Sequence, residues 1–165
     1  MSIEATVAKL RSIGLRPMPT DGVADLPGVS VPSVYTDVLQ SLSGGEFEQE
    51  VVCRMRQYPP KAHPGLWPVE ALLAPGGGEW GLATWYERLA GDETGAGLVP
   101  FALASGGDLY CFFGDSVVFW DHESGLKYWV AHDFEDFVDR LEVDSTEVPK
   151  EVLSRARLTL DPDLL

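Results

Sequence analysis

The sequence has no long apolar run, few cysteines and few basic residues, and each shortage excludes a class of protein. No apolar run approaches the roughly 20 residues that a membrane-spanning helix needs. The first residues, MSIEATVAKLRSIG, lack a basic segment followed by an apolar core and a small-residue cleavage site, so no secretory signal is predicted. We therefore expect a cytoplasmic protein.

The chain has only two cysteines, Cys53 and Cys111, and both lie in apolar, strand-like contexts. We expect reduced core residues, with a disulfide as the alternative. The chain has 165 residues, of which 45% are hydrophobic and 23% are charged. This length and composition suffice to bury a core without disulfides or metal, and we predict one domain over residues 1–165.

Basic residues are scarce, because 12 lysines and arginines oppose 26 aspartates and glutamates and leave a formal net charge of −14. Residues 91–150 hold most of this imbalance, with 13 acidic and 3 basic residues and a net charge of −10. A field of this sign repels nucleic acid and anionic membranes and accelerates encounter with basic partners. Acidic residues also keep proteins soluble, and charge alone does not decide between these roles.

Common catalytic motifs are absent from the sequence. It has no Gly-x-Ser-x-Gly elbow, and the glycines at 76–78 lack the following Lys-Ser/Thr of a phosphate loop. Metal-ligand residue types occur at Asp121-His122-Glu123 and His132-Asp133, which would converge if their strands formed a hairpin. Hydrogen bonds at a hairpin corner and a helix start explain both more simply. We predict no enzymatic activity, no metal and no cofactor.

Residues 98–141 form the most informative stretch, with three strand candidates and a helix. The strand candidates DLYCFF, SVVFW and LKYWVA are rich in aromatic and β-branched residues. The two residues Gly114 and Asp115 separate the first two candidates, which predicts an antiparallel hairpin. A helix face follows, with Asp133 as its expected N-cap and apolar residues at positions 134, 137, 138 and 141.

The N-terminal half alternates helical patterns with proline-rich segments. A first helix should begin after Ser2, followed by an extended connector over residues 17–31, and a second helix should span residues 31–42. A strand is predicted around residues 50–56, a short helix at 69–73, a better helix at 80–89 and a last one near 149–156. Pro100 predicts an edge position or a strand start.

Three blocks of residues, in order, resemble the SUKH superfamily. VPSVYTDVLQSLSGGEF at 31–47 is similar to the family's opening of Pro, aromatic residue, apolar helix and Gly-Gly, and LVPFALASGGDLYCFF to its apolar-Pro-Phe and Gly-Asp strand. VVFWDHES, followed by WVAHDFEDFVDRL, resembles the family's Asp-His-Glu corner and closing helix. The best-matching segments are 31–47 and 98–141. The pattern differs at Ser43, where the family commonly has Asn, and in the proline-rich residues 59–78.

The resemblance implies an α+β fold, a single domain with a mostly antiparallel twisted sheet and helices packed around it. Many bacterial members are immunity proteins that neutralise a cognate toxin, often a nuclease, whereas others are protein-interaction modules, including a yeast regulator of cell-wall synthesis. We therefore expect an immunity protein that blocks the active site or substrate access of a basic toxin encoded by a neighbouring gene. An intracellular regulatory adaptor without a toxin partner is the alternative.

Acidic residues in exposed-looking turns are the candidates for contact with such a partner. The alternative for each of them is an ordinary solvated turn residue. The candidates are Glu46 and Glu48 after the Gly pair, Asp92 and Glu93 in the glycine-containing loop, Asp115 in the hairpin, and Asp121 and Glu123 at the corner.

Overall fold

The fold is α+β, with an open, antiparallel sheet and four helices in the part of the chain that the computed structural model describes, residues 2–17, 31–42, 44–74 and 81–144. The helices are α1 (Ile3–Ser12), α2 (Ser33–Leu42), α3 (Leu82–Ala90) and α4 (Phe134–Asp139). The strands are β1 (Leu15–Pro17), β2 (Gly45–Phe47), β3 (Val51–Arg54), β4 (Leu66–Leu72), β5 (Val99–Ala104), β6 (Leu109–Phe113), β7 (Ser116–Trp120), β8 (Lys127–Ala131) and β9 (Leu141–Val143).

Seven strands follow the order β1-β2-β4-β5-β6-β7-β8, and β3 lies between β4 and β9. The hairpin predicted between β6 and β7 is present, and Gly114 has the positive φ of 62° that its two-residue turn favours. Pro100 is the second residue of β5, which lies inside the sheet, so the strand-start prediction is confirmed and the edge alternative is wrong. The ladder between β5 and β6 shifts register between Pro100 and Ala102, and such a bulge accommodates a proline inside a sheet.

β2 and β3 run along the same side of β4 but do not form one continuous strand. Glu46 faces Ala71 and Val52 faces Pro68, so the five residues 47–51 lie opposite only Val69 and Glu70. Among the described strands, β1 pairs with β2 alone and β9 pairs with β3 alone. Within the described part of the chain, no third strand therefore bridges this break, which we call the strand break.

Aromatic side chains fill the core between the sheet and α1, α2 and α4. The buried Tyr35 ring of α2 lies 5.7 Å from Phe101, 5.3 Å from Phe112 and 5.1 Å from Phe134, between ring centroids. Its hydroxyl donates to the carbonyl oxygen of Leu73 at 2.7 Å, which satisfies the polar atom inside the core. Such edge-to-face contacts add specific geometry to apolar burial.

Cys53 and Cys111 are buried and unpaired, as expected. Burial raises the pKa of both thiols, so they remain protonated core side chains rather than reactive thiolates.

α4 begins where the sequence predicts and ends earlier. The Asp133 carboxylate accepts from the backbone N–H of Asp136 at 2.8 Å, which confirms the predicted N-cap. The helix stops at Asp139, and Leu141 starts β9 by pairing with Cys53 of β3. Leu141 is therefore buried in a strand rather than on the helix face.

The helix predicted at 69–73 is wrong, because Leu66–Leu72 forms β4. A short apolar run is ambiguous between helix and strand, and here backbone pairing on both sides of β4 decides the outcome. The predicted helix at 80–89 corresponds to α3. Residues 18–30 of the predicted connector, the predicted helix at 149–156, and part of the predicted domain 1–165 lie outside the described residues. Within the described ranges, every helix is too short or too polar to span a bilayer.

Candidate functional site

Four connections and the strand break lie at one end of the sheet. Leu103 pairs with Leu109, Leu109 with Trp120, and Trp120 with Lys127, so the β5–β6 and β7–β8 connections are neighbours at this end. Val69 pairs with Ala104 and places the strand break next to them. We call this region the acidic end. It comprises the strand break, residues 59–64, 92–95, 105–108 and 121–126.

Trp120 connects residues 92–95, which we call the Asp92 turn, to the rest of the acidic end. Its neighbour Phe119 faces the core beside Tyr110, so Trp120 points to the opposite face of the sheet. There its indole Nε1 donates to Thr94 Oγ1 at 3.0 Å. Asp92 Oδ1 accepts from the Thr94 hydroxyl at 2.7 Å and from its backbone N–H at 2.9 Å, and these bonds lower the pKa of Asp92.

Four charged or titratable side chains meet at the acidic end, two of them buried aspartates and two of them partly exposed. Lys61, in the short 3₁₀ turn Pro60–Ala62, places its ammonium 3.0 Å from Asp108 Oδ2 and 3.0 Å from Asp121 Oδ1. Asp108 Oδ1 also lies 2.7 Å from His122 Nδ1 and accepts from the His122 backbone N–H at 3.1 Å. The side chains of Asp108 and Asp121 are only 1% and 9% exposed. We call this set the Lys61 cluster.

The bonds of Asp121 also shape the corner that follows β7. Burial acts to raise the pKa of Asp121, but hydrogen bonds from Lys61, the Glu123 amide and the Ser124 hydroxyl outweigh it and lower the pKa. The last two bonds measure 3.1 and 3.0 Å. The Asp121 carboxylate is therefore ionised at neutral pH, and both of its oxygens accept hydrogen bonds from the protein itself.

Asp108, Asp121 and His122 are chemically suited to bind a divalent cation, since their candidate ligand atoms lie within 4.8 Å of one another. The ammonium of Lys61 already lies between the two carboxylates and offsets one of their two negative charges. The other pair considered from the sequence, His132-Asp133, follows the opposite end of β8. The His132 N–H donates to Asp136 Oδ2 at 2.9 Å, so the two histidine pairs do not converge.

A cleft of about 350 Å³ opens at the strand break. Glu46, Glu50 and Glu70 line it together with the apolar side chains of Phe47, Val51 and Val69. Glu70 lies at a register shift between β4 and β5, which places an additional residue at this point of the strand. We call this feature the glutamate cleft.

The carboxylates of the glutamate cleft repel one another. Partial burial raises the pKa of Glu70, and the charges of Glu50 and Glu46 raise it further. Within the described ranges, none of the three carboxylates has an ion-pair partner. Within the described residues, the cleft is therefore a concentration of carboxylates without ion-pair partners, and its accessible lining is more polar than apolar.

The seven acidic residues singled out from the sequence have different environments. Glu46 lines the glutamate cleft, and Asp92, Glu93, Asp121 and Glu123 lie at the acidic end. Glu48 pairs with Arg16 at 3.0 Å on the adjoining edge of the sheet. Asp115 lies at the opposite end of the sheet, in a groove of about 220 Å³ beside the starts of α2 and α4. Three of the seven, Glu48, Asp92 and Asp121, are held by internal bonds. Glu48 is exposed all the same, as are Glu46, Glu93, Asp115 and Glu123.

Four residues of the acidic end were missed in the sequence. The strand pattern places Asp108 at the start of a strand, and only its position after Gly106-Gly107 indicates a tight turn. The predicted helix at 69–73 includes Glu70, so the sequence does not show that Glu70 lies opposite the strand break. Lys61 lies in a proline-rich segment without periodicity, and Glu50 lies at the start of an expected strand. The residues that flank each of these four in the sequence do not indicate which distant residues it contacts in the fold.

A comparison with protein families matches residues 24–140 to the SMI1 / KNR4 family (SUKH-1). The matched region includes the Lys61 cluster and the glutamate cleft. The comparisons with curated proteins and with solved structures find no match.

Proposed function

Because this chain belongs to the SMI1 / KNR4 family (SUKH-1), we propose that it is an immunity protein that binds a basic bacterial toxin through its acidic end. Binding there would block the active site of the toxin or its access to substrate. The family implies protein–protein interaction and is generally immunity-related or regulatory rather than catalytic. The toxin would be a basic, nuclease-type effector encoded by a neighbouring gene.

The glutamate cleft is the observation that supports this proposal most. Three carboxylates without an ion-pair partner in the described ranges are unfavourable for the protein alone, and a cationic partner side chain removes the repulsion. The cleft would admit an arginine or lysine side chain with its charged head among the carboxylates and its aliphatic part against the half-buried Phe47. The cleft therefore favours a partner that presents a basic side chain.

The loops of the acidic end supply a surface around the cleft. Glu93 and Glu123 are exposed, and Leu126 is an exposed apolar residue, with 57% of its surface accessible. Exposed acids mainly steer a basic partner and raise its association rate, whereas tight residence needs buried anchors in an interface of about 1,600 Å². We assign the anchor role to Leu126, and the steering role to the exposed acids, foremost Glu46, Glu50 and Glu70 of the glutamate cleft.

Co-expression with the toxin domains encoded beside the gene tests the function directly. We expect the wild-type chain to protect cells from one of them and to co-purify with it. The variant Glu46→Gln/Glu50→Gln/Glu70→Gln should lose protection while its expression level and fold are retained. The matched control changes three exposed acids elsewhere, Glu4→Gln/Glu87→Gln/Asp115→Asn, and removes the same charge.

Failure of every neighbouring toxin domain to be neutralised or captured would contradict the immunity function. Capture of a non-toxic intracellular protein instead would favour the adaptor alternative. Equal loss of protection in both triple variants would contradict the assignment of the cleft, because net charge would then be sufficient.

A further inference from the structure

Lys61 occupies the centre of a site that has the composition of a cation-binding site. Two buried carboxylates from different connections approach its ammonium at 3.0 Å each. The His122 imidazole lies beside them, bonded to Asp108 at 2.7 Å. Two carboxylates and an imidazole form a donor set that divalent transition metals accept in proteins.

Lys61 is a tethered cation, because it reaches the site from a separate segment. The 3₁₀ turn Pro60–Ala62 carries it, and its ammonium also lies 5.6 Å from the centroid of the Trp67 ring. Its side chain is 28% exposed, so the cluster lies just beneath the surface and an ion can reach it once the ammonium is removed.

The cluster also joins the loops of the acidic end. Asp108 holds the backbone N–H of His122, and Asp121 holds the N–H of Glu123. The Gly125 N–H donates to the Asp121 carbonyl at 2.7 Å. Without a cation, two buried carboxylates would repel each other across this junction, so the positive charge at the centre determines the conformation of the corner.

We propose that Asp108, Asp121 and His122 form a cation site that the chain fills with its own Lys61, and that removal of this side chain converts the site into one for a divalent metal. The lysine thus closes residues 59–64 onto the β5–β6 and β7–β8 connections without an external ion. This inference does not rest on the proposed function, since no toxin enters its test.

Titration of Lys61→Ala with Co²⁺, followed by visible absorption and calorimetry, tests the site. We expect one Co²⁺ per chain in Lys61→Ala and none in the wild type under the same conditions. Adding Asp108→Asn to Lys61→Ala should weaken Co²⁺ binding by at least about 10–100-fold, the loss that removal of a group merely supporting a ligand causes, because Asp108 would bind the ion directly. Lys61→Arg, which keeps a tethered cation, should behave as the wild type, and Lys127→Ala serves as a lysine control outside the cluster.

Amide hydrogen exchange provides a second measurement. The N–H groups of His122, Glu123 and Gly125 should exchange faster in Lys61→Ala than in the wild type, and Zn²⁺ should slow them again. In Lys61→Arg they should stay protected. If Lys61→Ala does not fold, Lys61→Gln, which keeps a neutral donor near the carboxylates, replaces it in both experiments.

Equal Co²⁺ binding by the wild type and the lysine variant would overturn the inference, because Lys61 would not occupy the site. Absence of Co²⁺ binding in the folded variant, with or without loss of amide protection, would also overturn it. The donor atoms would then not converge on a cation position.

Discussion

At the residue scale, some acidic side chains form ion pairs that stabilise the fold, whereas others lack an ion-pair partner in the described ranges. Asp108 and Asp121 are buried and share the charge of Lys61. Glu70 has no such partner in the described ranges and is raised in pKa by burial and by Glu50 and Glu46. The two groups contribute to stability with opposite signs, and this difference can be measured.

Glu70→Gln should stabilise the protein at neutral pH. The pKa of Glu70 is higher in the folded than in the unfolded state, so its contribution to stability is most favourable at low pH. That contribution falls as the pH rises through the folded pKa. We expect a gain of about 0.2–0.5 kcal/mol near pH 7, the size of a solvent-screened interaction, and no gain in acid. Urea unfolding at both pH values checks this, and a loss of stability near pH 7 would contradict it.

Asp121→Asn should destabilise the protein near pH 7, because Lys61 and the corner amides lose a charged acceptor. We expect a loss of about 1.5–3 kcal/mol, as for hydrogen bonds to charged groups. The folded pKa of Asp121 lies below its unfolded value, so this contribution is present above the unfolded pKa and disappears as the pH falls through the folded pKa. Chemical unfolding across the acid range should therefore show the two proteins converging at low pH. A difference that persists there would contradict the ionic origin.

Much of the chemistry at this scale could not be predicted from the sequence. The Asp133 cap was predicted because its partner, Asp136, lies three residues away. Lys61 and Asp121 are 60 residues apart, and their pairing depends on how the sheet places two connections together. The sequence identified Asp121 as a corner residue but not as half of an ion pair.

At the element scale, turns and caps were more predictable than strands with few periodic features. The β6–β7 hairpin and the start of α4 follow from local residue types. Residues 69–73 overlap the end of β4, and their apolar pattern fits either a helix or a buried strand; only the pairing of β4 with its neighbours in the sheet distinguishes the two. The strand break depends on this assignment, so the glutamate cleft could not be predicted.

Gly125→Ala tests how closely the Asp92 turn fits against the β7–β8 corner. Gly125 has φ of 74°, and a Cβ there would lie 2.5 Å from Thr94 Cγ2. Gly106→Ala is the matched control, since Gly106 has φ of 76° and open space around it. The control should lose about 1–2 kcal/mol from backbone strain alone, and Gly125→Ala should lose more. Thermal and urea unfolding measure both. Equal losses would mean that the Asp92 turn moves to accommodate the added methyl group with no further loss of stability.

At the scale of the whole molecule, negative charge is unevenly placed. The acidic end combines the exposed Glu93 and Glu123 with the glutamate cleft. Its Lys61 is already ion-paired with Asp108 and Asp121. Lys127 starts β8 at this end, but its ammonium lies over the ring of Phe113, 5.3 Å from the centroid. The fold thus brings together acids that are far apart in the sequence. The sequence shows the excess of acidic residues in 91–150, but it does not show which acidic residues lie together in the fold.

We expect the glutamate cleft, above all other acidic groups, to attract a basic toxin. The most direct test measures association rates of the neutralised toxin domain with the wild type, the cleft triple variant and the matched triple variant across a range of ionic strength. We predict that Glu46→Gln/Glu50→Gln/Glu70→Gln lowers the rate by about tenfold at low salt, that the Glu4/Glu87/Asp115 variant lowers it much less, and that the three rates converge at high salt. Equal rates for the cleft variant and the wild type at low salt would contradict the claim.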